Sequence, residues 1–135
     1  MKKILFVASA SVLLLTACAS QHQEMRVGIA HWDRTGVEVV DGKHIVVDQE
    51  PIYFPKAQQN VRFRWQLAAG SNYSFPSDGV TFKVATDEIV ECHPEQGGRA
   101  FSCLNRHTKP GTYNYTIKLQ GTPTVPPLDP IIVND

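Results

Sequence analysis

Little in this 135-residue chain points to covalent chemistry. No Gly-x-Ser-x-Gly run sets a nucleophile on a strained turn, and no glycine-rich loop opens a helix to cradle a phosphate. Gly97-Gly98 lies between two strand-like runs, where turn chemistry accounts for it, and the carboxylates Asp87-Glu88 fall at a loop edge. Ser, His and Asp are present, but nothing in their arrangement marks a triad. Charge of one sign is missing as well: 13 basic residues meet 13 acidic ones, for a formal net charge of zero. That balance removes the broad attraction a nucleic-acid partner needs. No internal repeat occurs, and no segment past residue 18 keeps an apolar period of 3.6 residues, which argues against a helical body. Hydrophobic residues at 42% and charged residues at 19% exclude a disordered chain, and the length allows one domain. The expectation is a protein without catalytic activity or cofactor.

What is present begins with the first segment. Lys2 and Lys3 form a basic start, and 4–15 is apolar apart from Ser9 and Ser11. That run is too short for a permanent membrane helix of about 20 residues, and it fits the hydrophobic region of a secretory signal. It ends in Leu14-Leu15-Thr16-Ala17-Cys18, which resembles the lipobox of bacterial lipoproteins. The resemblance implies that 1–17 is a removed signal peptide and that Cys18 becomes the new N-terminus, diacylated through its sulfur with palmitate-like chains. One acyl chain anchors only marginally, and more than one gives stable attachment. Ala19, rather than Asp, follows the cysteine. By analogy with Gram-negative lipoprotein sorting, this implies an outer-membrane, lipid-anchored protein facing the periplasm. The polar stretch Ala19-Ser20-Gln21-His22-Gln23-Glu24 makes 18–25 a lipidated cysteine with a flexible tether, and leaves 26–135 as the domain.

Cysteine is scarce, at three residues. With Cys18 taken by the anchor, Cys92 and Cys103 remain, and an oxidising periplasm favours joining them. Both sit in strand-like runs, Glu88-Ile89-Val90-Glu91-Cys92 and Arg99-Ala100-Phe101-Ser102-Cys103, with Pro94-Glu95-Gln96-Gly97-Gly98 as a turn signal between. A hairpin would bring them together, and closing such a loop is worth about 3 kcal/mol in the chain-entropy model. The competing reading is a metal site. Cys92, His93, Cys103 and His107 offer thiolates and imidazoles suited to zinc or Cu(I), although their spacing matches no compact zinc motif. The chain would then be a metal-binding or metal-trafficking module.

The domain reads as an all-β, antiparallel β-sandwich. In Val61-Arg62-Phe63-Arg64-Trp65-Gln66-Leu67 the apolar residues alternate with polar ones, the mark of a half-buried strand. The run 113–119 repeats this with Tyr113, Tyr115, Ile117 and Leu119 inward, and Val80-Thr81-Phe82-Lys83-Val84 is a shorter case. Asp41-Gly42 separates two β-rich runs and supplies the positive φ angles of a tight hairpin. Weaker strands are expected over 26–32 and 128–133. Turns are expected at Asp33-Arg34-Thr35-Gly36, Gly70-Ser71-Asn72, Pro76-Ser77-Asp78-Gly79 and Lys109-Pro110-Gly111, and a proline-stiffened loop over 121–127. At most one helical turn is expected, near 55–59 or at Asp87-Glu88.

Three stretches resemble the cupredoxin family of small β-sandwiches, and the last of them also resembles immunoglobulin-like domains. They are the opening run 43–63, Phe75-Pro76-Ser77-Asp78, and Lys109-Pro110-Gly111-Thr112-Tyr113-Asn114-Tyr115. The resemblance implies the fold without its copper. Ser77 stands at the first histidine position, Ile117 at the cysteine position, and no methionine follows Met25.

Among the histidines, His44 is expected to face solvent, His31 to pack at a sheet edge, and His93 and His107 to form a surface pair near the cysteines. Arg62 and Arg64 share one strand face, either as a contact for an acidic partner or as solvated edge protection. Tyr53, Phe54, Tyr73 and Phe75 flank predicted loops and either make one recognition patch or close the sandwich. The expected role is a non-enzymatic interaction module, of the accessory or the inhibitor and immunity type, that presents loops and an edge strand to an envelope protein partner.

Overall fold

The computed structural model describes residues 34–135. The lipobox with Cys18, the tether 18–25, the strand expected over 26–32 and His31 lie outside the described residues.

The alternation at Val61–Leu67 becomes a strand in which Phe63, Trp65 and Leu67 are buried while Arg62 and Arg64 point outward. It is the fourth of nine strands among the described residues: β1 Arg34–Val40, β2 His44–Val47, β3 Ile52–Phe54, β4 Val61–Leu67, β5 Val80–Phe82, β6 Ile89–Glu95, β7 Ala100–Asn105, β8 Gly111–Ile117 and β9 Ile131–Asn134. They form a five-stranded sheet ordered β2-β1-β4-β7-β6 and a four-stranded sheet ordered β3-β9-β8-β5. The inward residues of both sheets make one core, so the domain is an all-β sandwich.

Aromatic rings fill its centre. Phe63 packs on Phe54 at 5.0 Å and on Trp65 at 4.9 Å, and Trp65 meets Tyr115 of the other sheet at 5.2 Å. The indole Nε1–H of Trp65 donates to the Tyr115 hydroxyl at 3.2 Å, which gives each buried polar tip a partner. Burial pushes the Tyr115 phenol above its ordinary range, and the indole bond opposes that only in part. At one end of the sandwich the buried amides of Asn105 and Asn134 bond reciprocally at 2.8 and 3.1 Å, fastening β7 of one sheet to β9 of the other.

The pairings are not all antiparallel. β1 runs parallel to β4, with Arg34 opposite Arg64, and β3 runs parallel to β9, with Ile52 opposite Ile132. A period of two fixes which face a residue takes and leaves the direction of its neighbour open. The crossing of the chain from β2 in one sheet to β3 in the other sets those directions.

The hairpin at Asp41-Gly42 forms as expected. Both residues have positive φ, at 55° and 61°, and Lys43 N–H donates to the Val40 carbonyl at 3.0 Å. The turn expected at 33–36 does not form, because Arg34 to Gly36 belong to β1. Gly36 serves close approach instead: its N–H donates to Asp48 Oδ1 at 2.8 Å, and a Cβ there would meet Asp48 Oδ2 at 2.7 Å. A single turn closes at Pro55, whose carbonyl accepts from Gln58 N–H at 2.8 Å. Pro94 and Glu95 belong to β6, and the turn into β7 is a short 3₁₀ segment, Gln96–Gly98.

Candidate interaction surface

Cys92 and Cys103 come to disulfide distance, with sulfurs 2.07 Å and Cα atoms 4.2 Å apart. The local cause is a β-bulge. Val90 pairs with Leu104 and His93 with Ser102, so Glu91 and Cys92 together stand opposite Cys103. Within the bulge Glu91 takes a positive φ of 53° and is exposed, while Cys92 packs against the core.

The donor set of the metal reading is not assembled. Its sulfurs are joined to each other. His93 is exposed on β6, with Nδ1 3.0 Å from the Glu91 carbonyl and Nε2 3.6 Å from Glu95. His107 is buried rather than on the surface, its ring nitrogens 2.8 Å from the Gln58 carbonyl and 2.9 Å from the Asp135 carbonyl. The expected surface pair of histidines is therefore corrected, because His107 closes the end of the sandwich. Among the described residues, no group of three or more His, Cys, Asp or Glu side chains could hold a metal ion. Ser77 is exposed and Ile117 is buried in the core.

The aromatic residues do not gather into one patch. Tyr73 and Phe75 are buried. The Tyr73 hydroxyl donates to the Pro123 carbonyl at 2.6 Å, and its ring lies against Gly121, where a Cβ would come within 2.4 Å. Phe75 packs on Phe101 at 5.8 Å, and Phe54 is buried. These three close the sandwich, and only Tyr53 stays exposed, on the outer face of the four-stranded sheet. Arg62 and Arg64 lie on the outer face of the other sheet. Each has a carboxylate of its own: Arg62 meets Glu91 at 2.5 Å and Arg64 meets Glu95 at 3.8 Å. A partner would have to displace both. His44 is exposed, as its place on β2 requires.

A different surface emerges around the loop 68–73, which the sequence marked only as a turn. Arg99 organises it. Its Nη1 donates to the carbonyls of Ser71 at 2.7 Å and Tyr73 at 3.4 Å, and its Nη2 donates to the carbonyl of Ala68 at 2.9 Å. The Arg99 carbonyl in turn accepts from Leu67 N–H at 3.0 Å and Gln66 Nε2 at 3.1 Å. A planar cation thus holds one short loop in a fixed shape. The loop offers small exposed residues, Ala68, Ala69, Gly70 and Asn72.

Two shallow hollows meet at this loop and share Glu38 and Ala68. One, of about 230 Å³, has bare Gly36 in its lining, between Val46, Asp48 and Gln66. The other, of about 260 Å³, runs along the loop from Val39 to Tyr73. Arg99 escaped sequence reading because a lone arginine after two glycines carries no spacing signal. Searches against protein-family models and curated proteins returned no match to this chain.

Proposed function

We propose that this chain is a lipid-anchored, non-enzymatic interaction module of the bacterial envelope. The lipobox-like run ending at Cys18 supports the anchor, and the Cys92–Cys103 pair at disulfide distance fits an oxidising compartment. We read the body as a cupredoxin-like or immunoglobulin-like sandwich that lacks the copper ligands, a reading supported by the burial of Ile117 in the core. The observation that carries the interaction role is the loop 68–73, held at three carbonyls by Arg99 and flanked by two hollows. Binding usually pays the entropy of ordering a loop, and a loop already ordered avoids that cost. Small side chains on it suit backbone-level contact with a protein surface rather than capture of a small molecule in a deep pocket.

The test is crosslinking from that loop in intact membranes. A photoreactive residue in place of Ala69 is expected to capture a discrete envelope protein. Substituting Arg99→Ala should weaken that capture while the domain stays folded. Recovery of no protein adduct would sink the proposal.

A further inference from the structure

We infer that the edge of β2, unpaired among the described residues, pairs with β2 of a second copy, so that two five-stranded sheets become one across a two-fold axis at Val46. This goes beyond the anchored-module reading and uses the β2 edge, which borders the first hollow at Val46 and Asp48.

Every sheet edge must be blocked or used. β6 is blocked by Pro94 within the strand and by the bulge between Val90 and His93. β3 and β5 are three residues long. β2 has neither device: its four residues, His44-Ile45-Val46-Val47, contain no proline and pair with β1 in continuous register from Val40 opposite His44 to Val37 opposite Val47. Val46 is 40% exposed, one of few large apolar side chains so placed.

The backbone directions follow from alternation. Asp48 N–H donates inward to the Gly36 carbonyl at 3.1 Å. In an antiparallel ladder the residues at even spacing from it, Val46 and His44, also turn their backbone groups toward β1. Ile45 and Val47 therefore aim their N–H and C=O groups at the open edge. An antiparallel partner must match these outward residues with outward residues, and like faces with like faces. A two-fold through Val46 does both. It sets Ile45 of each copy opposite Val47 of the other on the inner face. On the outer face it sets Val46 opposite itself and His44 opposite Asp48.

The side chains complement one another in that register. The centre is apolar, and each end places an imidazole against a carboxylate. Asp48 gives Oδ1 to Gly36 N–H and lays Oδ2 over Gly36 of β1, so it reaches His44 of the second copy by a turn of its side chain. A two-fold contact needs such a self-complementary patch, and complementary side chains opposite each other across strands favour the pairing.

Val46 lies opposite itself at a pair without backbone hydrogen bonds between the copies. That is the closer kind of cross-strand pair, with Cα atoms about 4.5 Å apart and within disulfide reach. The test uses the full chain in membranes carrying Val46→Cys, with Thr81→Cys on the β5 edge as a control, under mild diamide oxidation. The expected result is a band of twice the monomer mass on non-reducing gels for Val46→Cys, at least fivefold above the control.

The second measurement is sedimentation of the detergent-solubilised chain. The unaltered protein should run as a dimer and Val46→Lys, which sets two lysines against each other, as a monomer of unchanged circular dichroism. Three outcomes overturn the inference: no doubled band, equal bands at both cysteine positions, or a Val46→Cys adduct with a different protein. The capture experiment at Ala69 is read separately, because its product is an adduct with another protein and not a chain of doubled mass.

Discussion

Glu88, an acid that the sequence sets at a loop edge, becomes a structural residue in the fold. Its side chain is buried, and Thr108 donates to it twice, from its hydroxyl to Oε1 and from its N–H to Oε2 at 2.6 Å. The Thr108 hydroxyl bond is the main reason the carboxyl lies below its ordinary value of 4.5, with the Thr108 N–H and Lys109 adding to it and burial working against it. A carboxylate whose folded-state pKa is depressed stabilises the fold above its unfolded value and loses that contribution as pH falls through the folded one. Stability should therefore decline as pH is lowered below about 4.5. Glu88→Gln, which cannot ionise, should show a shallower decline. Urea denaturation of both proteins between neutral and acid pH measures this, and parallel curves would remove Glu88 as a cause. At the same end of the sandwich, His107 holds its ring between two carbonyls at a positive φ of 47°. The sequence placed it beside the cysteines because residues close in number are close in a hairpin, but the chain turns away at that point.

At the scale of elements, the β6–β7 hairpin carries the largest removable constraint. The bulge at Glu91 and Cys92 gives two residues to one on the partner strand and so brings Cys92 to Cys103. Cys103→Ala should cost about 2–5 kcal/mol. In guanidinium unfolding without reductant, the variant midpoint should fall, and adding dithiothreitol should then lower the unaltered protein toward it. An unchanged midpoint would mean that the bridge contributes nothing. The pairing itself was readable from the runs flanking the cysteines, given the oxidising compartment that the signal-like first segment implies. The bulge was not, because Glu91 is an ordinary residue type at an unusual φ. The loop 68–73 makes the same point: Gly70-Ser71-Asn72 announces a turn, while the cation that shapes it comes from beyond β6.

At the scale of the whole molecule, the body and the proposed anchor would act through different physics. The body's stability comes from apolar and aromatic packing between two sheets. In the anchor we propose, attachment would come from acyl chains at Cys18, each buried CH₂ contributing about 0.8 kcal/mol. Cys18→Ala should therefore move the protein from the membrane pellet to the soluble fraction without changing the fold. Fractionation with circular dichroism of the released protein checks both halves, and continued sedimentation with membranes would defeat the anchor.

By itself, the sequence determined the sandwich and the inward face of each principal strand, since alternation at 61–67 and 113–119 is a local property of side chains on a pleated chain. It also determined the Asp41-Gly42 hairpin, whose positive φ angles belong to those two residue types. Only the tertiary structure decided that β1 joins β4 and β3 joins β9 in parallel, that Tyr73 and Phe75 close the core, and that Arg99 shapes a loop about thirty residues before it in the chain. Those outcomes depend on which strand lies beside which, and a neighbour across a sheet leaves no period in the chain that meets it.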